Sequence, residues 1–384
     1  MSNVDVLVVG AGPVGAVVAE RAAAHGYQVM VIDRRPHLGG NCYDSKEQGV
    51  LVHRYGPHYF RTDSDLLLAY LSRFTGWIPA RYVVKASHRG KLFPIPVNRT
   101  TLEEYFGIPV RTPEDATRLL EQVRVPFAEP ANAEEFALSR VGRALYEAFL
   151  LGYTEKQWGR HPRELAPWLL GRLPVRIDTD DRYVTAQHQV MPADGYTALF
   201  QRMLAHDLIQ VRLGVGYDDI RGRVAPRVGI VYTGPLDEYF GRDLGPLPWR
   251  SLRFEFQAHE QELVQPCVQV NYPDADVPYT RTVESKHVTG QRHQHTVVAT
   301  EYPSATGDPY YPVPETSAAA LAARYADRAG EETRRARVWF AGRLAEYRYL
   351  NMDEAFLRGL AVWEEIRIAQ SRPASSRTSP RRGR

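Results

Sequence analysis

The chain opens on Val4-Asp-Val-Leu-Val-Val9, and the next six residues, Gly10-Ala-Gly-Pro-Val-Gly15, leave few folds open to it. An apolar run of this length reads as a parallel strand buried on both faces. An Ala/Val-rich helical pattern follows from Val14 to His25, and a second strand, Gln28 to Ile32, ends in Asp33. A strand before, a helix after and an acid at the end of the next strand form the setting in which G-x-G-x-x-G marks a dinucleotide site. Gly10 allows the tight turn, Gly12 lets a pyrophosphate approach the backbone, and Gly15 lets the helix pack close to the strand. The helix N-terminus then turns unpaired N–H groups toward the diphosphate. Asp33 accepts hydrogen bonds from the adenosine ribose. The expected fold class is α/β: a Rossmann-like domain carrying an inserted helical domain and an inserted antiparallel sheet domain.

The expected cofactor is FAD rather than NAD. Gly39-Gly40-Asn41 supplies a second glycine pair shortly after Asp33. It resembles the doublet that many flavoproteins place behind their dinucleotide fold, where backbone meets an extended FAD again. No run of eighteen apolar residues is present, which excludes a membrane-spanning helix. The Rossmann strand starts at residue 4, too early for a signal peptide. Cys42 and Cys267 have neither metal spacing nor a disulfide framework, so the expected setting is a reducing cytoplasm. Net charge is +3, but Ser371 to Arg384 holds five arginines and no acid, leaving about −2 elsewhere. That tail, rich in Ser, Pro and Arg, reads as a solvated, disordered end rather than a nucleic-acid arm.

Beyond the first segment, 1–78, the chain reads as a discontinuous assembly. Residues 79–100 form a hairpin belonging to the sheet domain, with Pro94 and Pro96 marking an edge or bend. Residues 101–186 form a helical domain; Thr112-Pro113 is a helix start, and about 166–180 is a mobile loop with one central cation, Arg176. Residues 187–235 return to the cofactor sheet. Residues 236–334 complete the antiparallel sheet, and 335–370 bring back the cofactor domain through Val338-Trp-Phe-Ala-Gly342 and a helix from about Met352. Residues 371–384 are the basic tail.

Six segments then carry a specific resemblance. They are Gly152-Tyr-Thr-Glu-Lys-Gln-Trp-Gly-Arg160, Pro174-Val-Arg176, Tyr232-Thr-Gly-Pro235, Val277-Pro-Tyr-Thr-Arg281, Asp308-Pro-Tyr-Tyr-Pro-Val313 and Phe340-Ala-Gly-Arg-Leu-Ala-Glu-Tyr347. Their order and spacing resemble the UDP-galactopyranose mutase family from about residue 4 to residue 368. The resemblance implies an FAD-dependent isomerase interconverting the pyranose and furanose forms of UDP-galactose. It implies reaction through a covalent adduct of the sugar with reduced flavin N5, without net redox change. It also implies an electron source such as NAD(P)H or a flavin reductase. A homodimer is admitted, and no nucleic acid is involved.

The resemblance assigns residues. Arg176 and Arg281 are expected to bind the departing diphosphate, a task suited to a planar guanidinium. Tyr153, Tyr183, Tyr311 and Tyr347 are expected to donate to phosphate. Trp158, Phe149, Thr154 and Asn271 are expected beside the sugar or uridine, Phe149 by stacking on uracil. Pro13, Arg34, His58, Phe60, Arg343, Tyr347 and Asp353 join Gly10, Gly12, Gly15, Asp33, Gly39, Gly40 and Asn41 as cofactor contacts.

Three positions depart from the family pattern, one of them Asp194, where the usual Gly-Gly-Tyr-Thr stands as Asp194-Gly-Tyr-Thr197. The usual His-x-Phe-His-Thr stands here as His58-Tyr-Phe-Arg-Thr62, with Arg61 expected against the flavin or reaching the sugar, the second slightly favoured. A small polar residue near the uridine aligns with Tyr82. These departures keep open the same ring contraction on UDP-N-acetylgalactosamine, UDP-arabinopyranose or another NDP-hexose. A flavin amine-oxidase-like oxidoreductase shares the cofactor fold but leaves the arginines and tyrosines unexplained. A non-catalytic flavin binder should have lost Arg176 or Arg281.

Overall fold

The computed structural model describes residues 4–171 and 173–371. The basic tail therefore lies outside the described residues, apart from Ser371. Five parallel strands form the cofactor sheet in the order Ile209–Leu213, Val29–Asp33, Val6–Val9, Gly229–Tyr232 and Val338–Phe340. Both faces are covered. Val6, Val8, Val29 and Val31 pack beneath the helices Pro13–Ala24, Tyr196–Leu204 and Met352–Ser371, while Leu7, Val9, Met30 and Ile32 lie in a second core with Tyr325 and Ala329. This two-sided burial explains the unbroken apolar run of the first strand.

Tyr325 and Ala329 belong to a 21-residue helix, Thr316–Ala336. The expectation that 236–334 is all sheet domain is thereby corrected. This helix buries its apolar stripe on the cofactor sheet and leads directly into the strand Val338–Phe340.

The second sheet has seven strands, ordered Tyr311–Pro312, Trp249–His259, Thr296–Ser304, Arg281–Val283, Gln269–Asn271, Val84–His88 and Lys91–Ile95. It is not wholly antiparallel, as expected from sequence. Gln269–Asn271 pairs parallel with Val84–Ala86, because the helical insertion between them is a long crossover. Within that insertion, a wider π-helical turn, Tyr146–Leu151, joins Ala133–Leu145 to Gly152–Trp158. Residues 166–180 are docked on the sheet edge, with Arg176 N–H donating to Val97 O at 2.9 Å and Arg99 N–H to Asp178 O at 2.9 Å. Among the described residues no helix is long and apolar enough to cross a membrane, and both cysteines are free and buried.

Candidate functional site: a dinucleotide cleft opening on an arginine-bearing sheet

A cleft of about 460 Å³ runs along the C-terminal ends of the cofactor strands. Gly10, Gly12, Pro13, Gly15, Asp33, Arg34, Gly40, Asn41, His58 and Arg343 line it. Two glycines are demanded by geometry. A Cβ on Gly15 would stand 1.9 Å from Gly10 O, and one on Gly40, at φ +55°, would stand 3.2 Å from Gly12 Cα. The floor is thus backbone facing backbone, a cradle suited to a diphosphate, and the residues fit a dinucleotide. Gly39 lies just behind it, its N–H donating to Ala11 O at 2.9 Å. Asp33 accepts from Ala11 N–H (2.8 Å) and Arg35 N–H (2.9 Å); each oxygen retains a lone pair for a ribose hydroxyl. Arg34 is held by Asp308 and Glu238 at 3.3 and 3.7 Å.

Besides Gly39, three sequence-based cofactor contacts are not on this lining. Phe60 is fully buried, stacked on Trp77 at 5.1 Å and edge-on to Phe356, so its ring serves the core beneath the cleft. The Tyr347 hydroxyl donates to Pro248 O at 2.6 Å and its ring packs on Trp249; it faces away from the cleft. Asp353 follows the lining residues Asn351 and Met352, and burial raises its carboxyl against the lowering influence of Arg61. Sequence reasoning also missed Arg35, Tyr217 and Tyr239, which line the far end. Those two tyrosines stack at 5.7 Å.

Where the cleft meets the seven-stranded sheet, strand register builds a row of side chains. Asn271 pairs with Arg281, and Arg281 with Glu301, so all three project from one face. Arg281 Nε lies 2.8 Å from Glu301 Oε2, and Glu301 is fully buried. Burial works against the Arg281 charge, but Glu301 and the phenols of Tyr153, Tyr311 and Tyr82 around it hold its pKa well above the usual value. Burial raises the Glu301 carboxyl, with Arg281 opposing. His58 bridges cleft and row: it lines the cleft, and burial, then His53, Arg343 and Arg281, push its imidazole down to about 3.

Tyr153, Thr154 and Trp158 come from the helix Gly152–Trp158, with Thr154 and Trp158 buried and Trp158 edge-on to Tyr311 at 6.0 Å. Lys156, on the same helix, donates to the carbonyls of Asp274 (3.0 Å), Val277 (2.9 Å), Tyr279 (3.1 Å) and Tyr272. It ties that helix to the loop preceding Arg281. Tyr311 stacks on Tyr349 at 6.0 Å, and the Arg343 guanidinium sits 5.2 and 5.1 Å from those two rings. Tyr349, not Tyr347, is therefore the tyrosine of its motif that joins the row. Tyr183 packs against Tyr82 at 6.1 Å. Phe149 is enclosed by His88, Phe93 and Tyr105, so it forms part of the wall rather than an open stacking platform. Arg176 is 8% exposed, its Nη1 donating to Asp180 O at 2.9 Å and its Nη2 buried without a partner. Arg61 reaches Asn351, Nη2 to Oδ1 at 3.1 Å.

The family described as UDP-galactopyranose mutase matches residues 148–349, the span that carries Tyr153, Arg176, Arg281, Tyr311 and Tyr349. A probable UDP-galactopyranose mutase from Klebsiella pneumoniae is 37% identical over 373 residues, 95% of each chain. The chain belongs to the UDP-galactopyranose mutase family. A dTDP-fucopyranose mutase from Escherichia coli is also similar, 36% identical over 95% of this chain and 97% of its own. An NAD(P)-binding Rossmann-like domain matches residues 8–74. Among solved structures, a reduced UDP-galactopyranose mutase superposes with a TM-score of 0.74 at 16% identity over 96% of both chains, and a putrescine oxidase variant with 0.56 at 13% over 95% and 99%. At those identities the likeness is one of fold.

Proposed function

We propose that this chain is a mutase interconverting the pyranose and furanose forms of UDP-galactose, with FAD held in the glycine-floored cleft. The observation that carries the proposal is Arg281: a cation nearly sealed among phenols, one residue-row from the cleft. Reduced FAD, when bound, supplies the nucleophile for the anomeric carbon, so a reaction without net redox change still needs electrons delivered once. NAD(P)H or a flavin reductase is the source we propose.

The chain's residues then do three things. Arg281, and Arg176 from the docked 166–180 segment, neutralise charge growing on the departing diphosphate. Burial holds the phenols of Tyr153 and Tyr311 in their protonated form, so they donate to phosphate oxygens. Tyr183 and Tyr349 complete that donor set, and Trp158 packs beside Tyr311. His58, neutral at working pH with its Nδ1–H given to Gly56 O, offers Nε2 as an acceptor at the cleft wall without adding charge.

Incubating reduced enzyme with UDP-galactose and separating the two ring forms tests the proposal. Activity only after reduction supports it; equal activity of oxidised enzyme in air excludes it. The similarity to a dTDP-fucopyranose mutase favours a second reading in which the sugar is carried on dTDP. The same assay with dTDP-sugars separates the two.

A further inference from the structure

Tyr82 is 4% exposed, and its hydroxyl donates to Gln269 Oε1 at 2.7 Å. Gln269, 3% exposed, passes the bond on: its Nε2 donates to Asn271 Oδ1 at 2.7 Å. Asn271 Nδ2 has no hydrogen-bond partner among the described residues, and Asn271 is half-buried on the face that carries Arg281. The direction of this chain of bonds is set at its closed end. Turning both amides over would set Gln269 Nε2, a donor, against the Tyr82 hydroxyl and take away the acceptor that its hydrogen now has, Gln269 Oε1.

Position says what Asn271 meets. Glu301 lies on one side of Arg281 in the sheet and Asn271 on the other. A Cβ on Gly56 would stand 3.2 Å from Glu301 Oε1, and His58 Nδ1 bonds Gly56 O at 2.9 Å, so the cofactor cleft adjoins the Glu301 side. With the diphosphate at Arg281 and the sugar toward the cleft, Asn271 falls on the nucleoside side.

Building on the function proposed above, we infer that Tyr82 is a positioning residue that fixes Asn271 as a pure hydrogen-bond donor toward the base. With Asn271 at the C4 edge, the site thereby selects a pyrimidine bearing a carbonyl at C4, uracil or thymine, over cytosine, whose C4 amino group would confront another donor. A small side chain at position 82 would leave the two amides free to turn; with Tyr82 they are committed.

Equilibrium binding of UDP, dTDP and CDP to the full-length protein tests this, with flavin content and Tm as checks of folding. Wild type should bind UDP and dTDP at least about tenfold more tightly than CDP, the cost of opposing two donors. Tyr82→Phe should narrow that ratio about fivefold or more while flavin content stays normal. Asn271→Asp, which replaces the donor by an acceptor, should narrow it too, and serves if Tyr82→Phe folds poorly. A ratio unchanged in both variants overturns the relay. Failure of wild type to bind either UDP or dTDP overturns instead the functional reading on which it rests. Preference between UDP and dTDP identifies the nucleoside, since both present the same carbonyl.

Discussion

Arg281 and Glu301 form a buried ion pair, Nε to Oε2 at 2.8 Å, whose acid has no hydrogen-bond donor for its remaining lone pairs among the described residues. Removing one partner of such a pair leaves the other uncompensated, typically at about 3–5 kcal/mol. Arg281→Ala should therefore lower both Tm and turnover, the latter by about a hundredfold or more. The double variant Arg281→Ala/Glu301→Gln should recover most of the Tm and none of the turnover. Thermal melts alongside steady-state kinetics separate the two effects; recovered turnover would remove Arg281 from the chemistry.

Arg176 offers a buried Nη2 with no protein partner, while Nη1 is occupied by Asp180. A charge-assisted bond from that free nitrogen to phosphate is worth about 1.5–3 kcal/mol. Arg176→Ala should raise KM and lower kcat with flavin content unchanged, and Arg176→Lys should restore charge but not the fork. Wild-type kinetics for Arg176→Ala would exclude it from the site.

The His58 imidazole titrates near 3 in the folded chain and near 6.5 in an unfolded one. Between those values the unfolded state binds more protons, so stability rises with pH there. It should be fully present above about pH 6.5 and fall as pH drops toward 3, softened by solvent at the cleft mouth. His58→Asn should flatten the acid limb of a Tm-against-pH curve. A limb of unchanged slope would show that other groups govern it.

Arg61 bonds Asn351, a residue of the cofactor cleft, rather than any side chain of the Arg281 row. The structure thus favours its influence on the flavin over the influence on sugar choice that sequence slightly preferred. Arg61→His should lower the flavin midpoint potential by removing a permanent charge, with the ranking of nucleotide sugars unchanged. Potentiometry and a substrate panel report on each independently, and a shifted ranking at constant potential reverses the assignment.

Gly40 stands at φ +55° with its hypothetical Cβ against Gly12. Gly40→Val adds both backbone strain of about 1–2 kcal/mol and bulk on the diphosphate floor. Purified Gly40→Val should carry substantially less FAD than wild type at equal protein, measured by absorbance after release. Full occupancy would move the diphosphate away from this floor.

Much of this was readable in the chain because local chemistry determined it. The Val4–Val9 run, the glycine spacing and Asp33 specify a strand, a turn and a helix within forty residues, and the returning strands near 210, 230 and 338 are short apolar runs of the same kind. The choice between Tyr347 and Tyr349 was not readable. They lie two residues apart, and it is the fold that gives the Tyr347 hydroxyl to Pro248 O and sets the Tyr349 ring on Tyr311. Phe60 and Phe149 look like ligand contacts by position, yet core neighbours distant in sequence enclose them. The helix Thr316–Ala336 was missed because its stripe, Leu321, Ala322, Tyr325 and Ala329, is weakly apolar and gains its partner only from the folded sheet. The Tyr82–Gln269–Asn271 relay spans 187 residues at its first bond, beyond any spacing rule.

Lys156 gives the substrate end a fixed jaw. Its ammonium gathers carbonyls from four residues of the loop before Arg281, so the helix bearing Tyr153 and Trp158 and the strand bearing Arg281 form one anvil. The opposite jaw is the segment around Arg176, tied to residues 97–99 by two backbone bonds, Arg176 N–H to Val97 O and Arg99 N–H to Asp178 O. Of the two arginines, Arg281 therefore sits on the braced side and Arg176 on the side held by fewer ties.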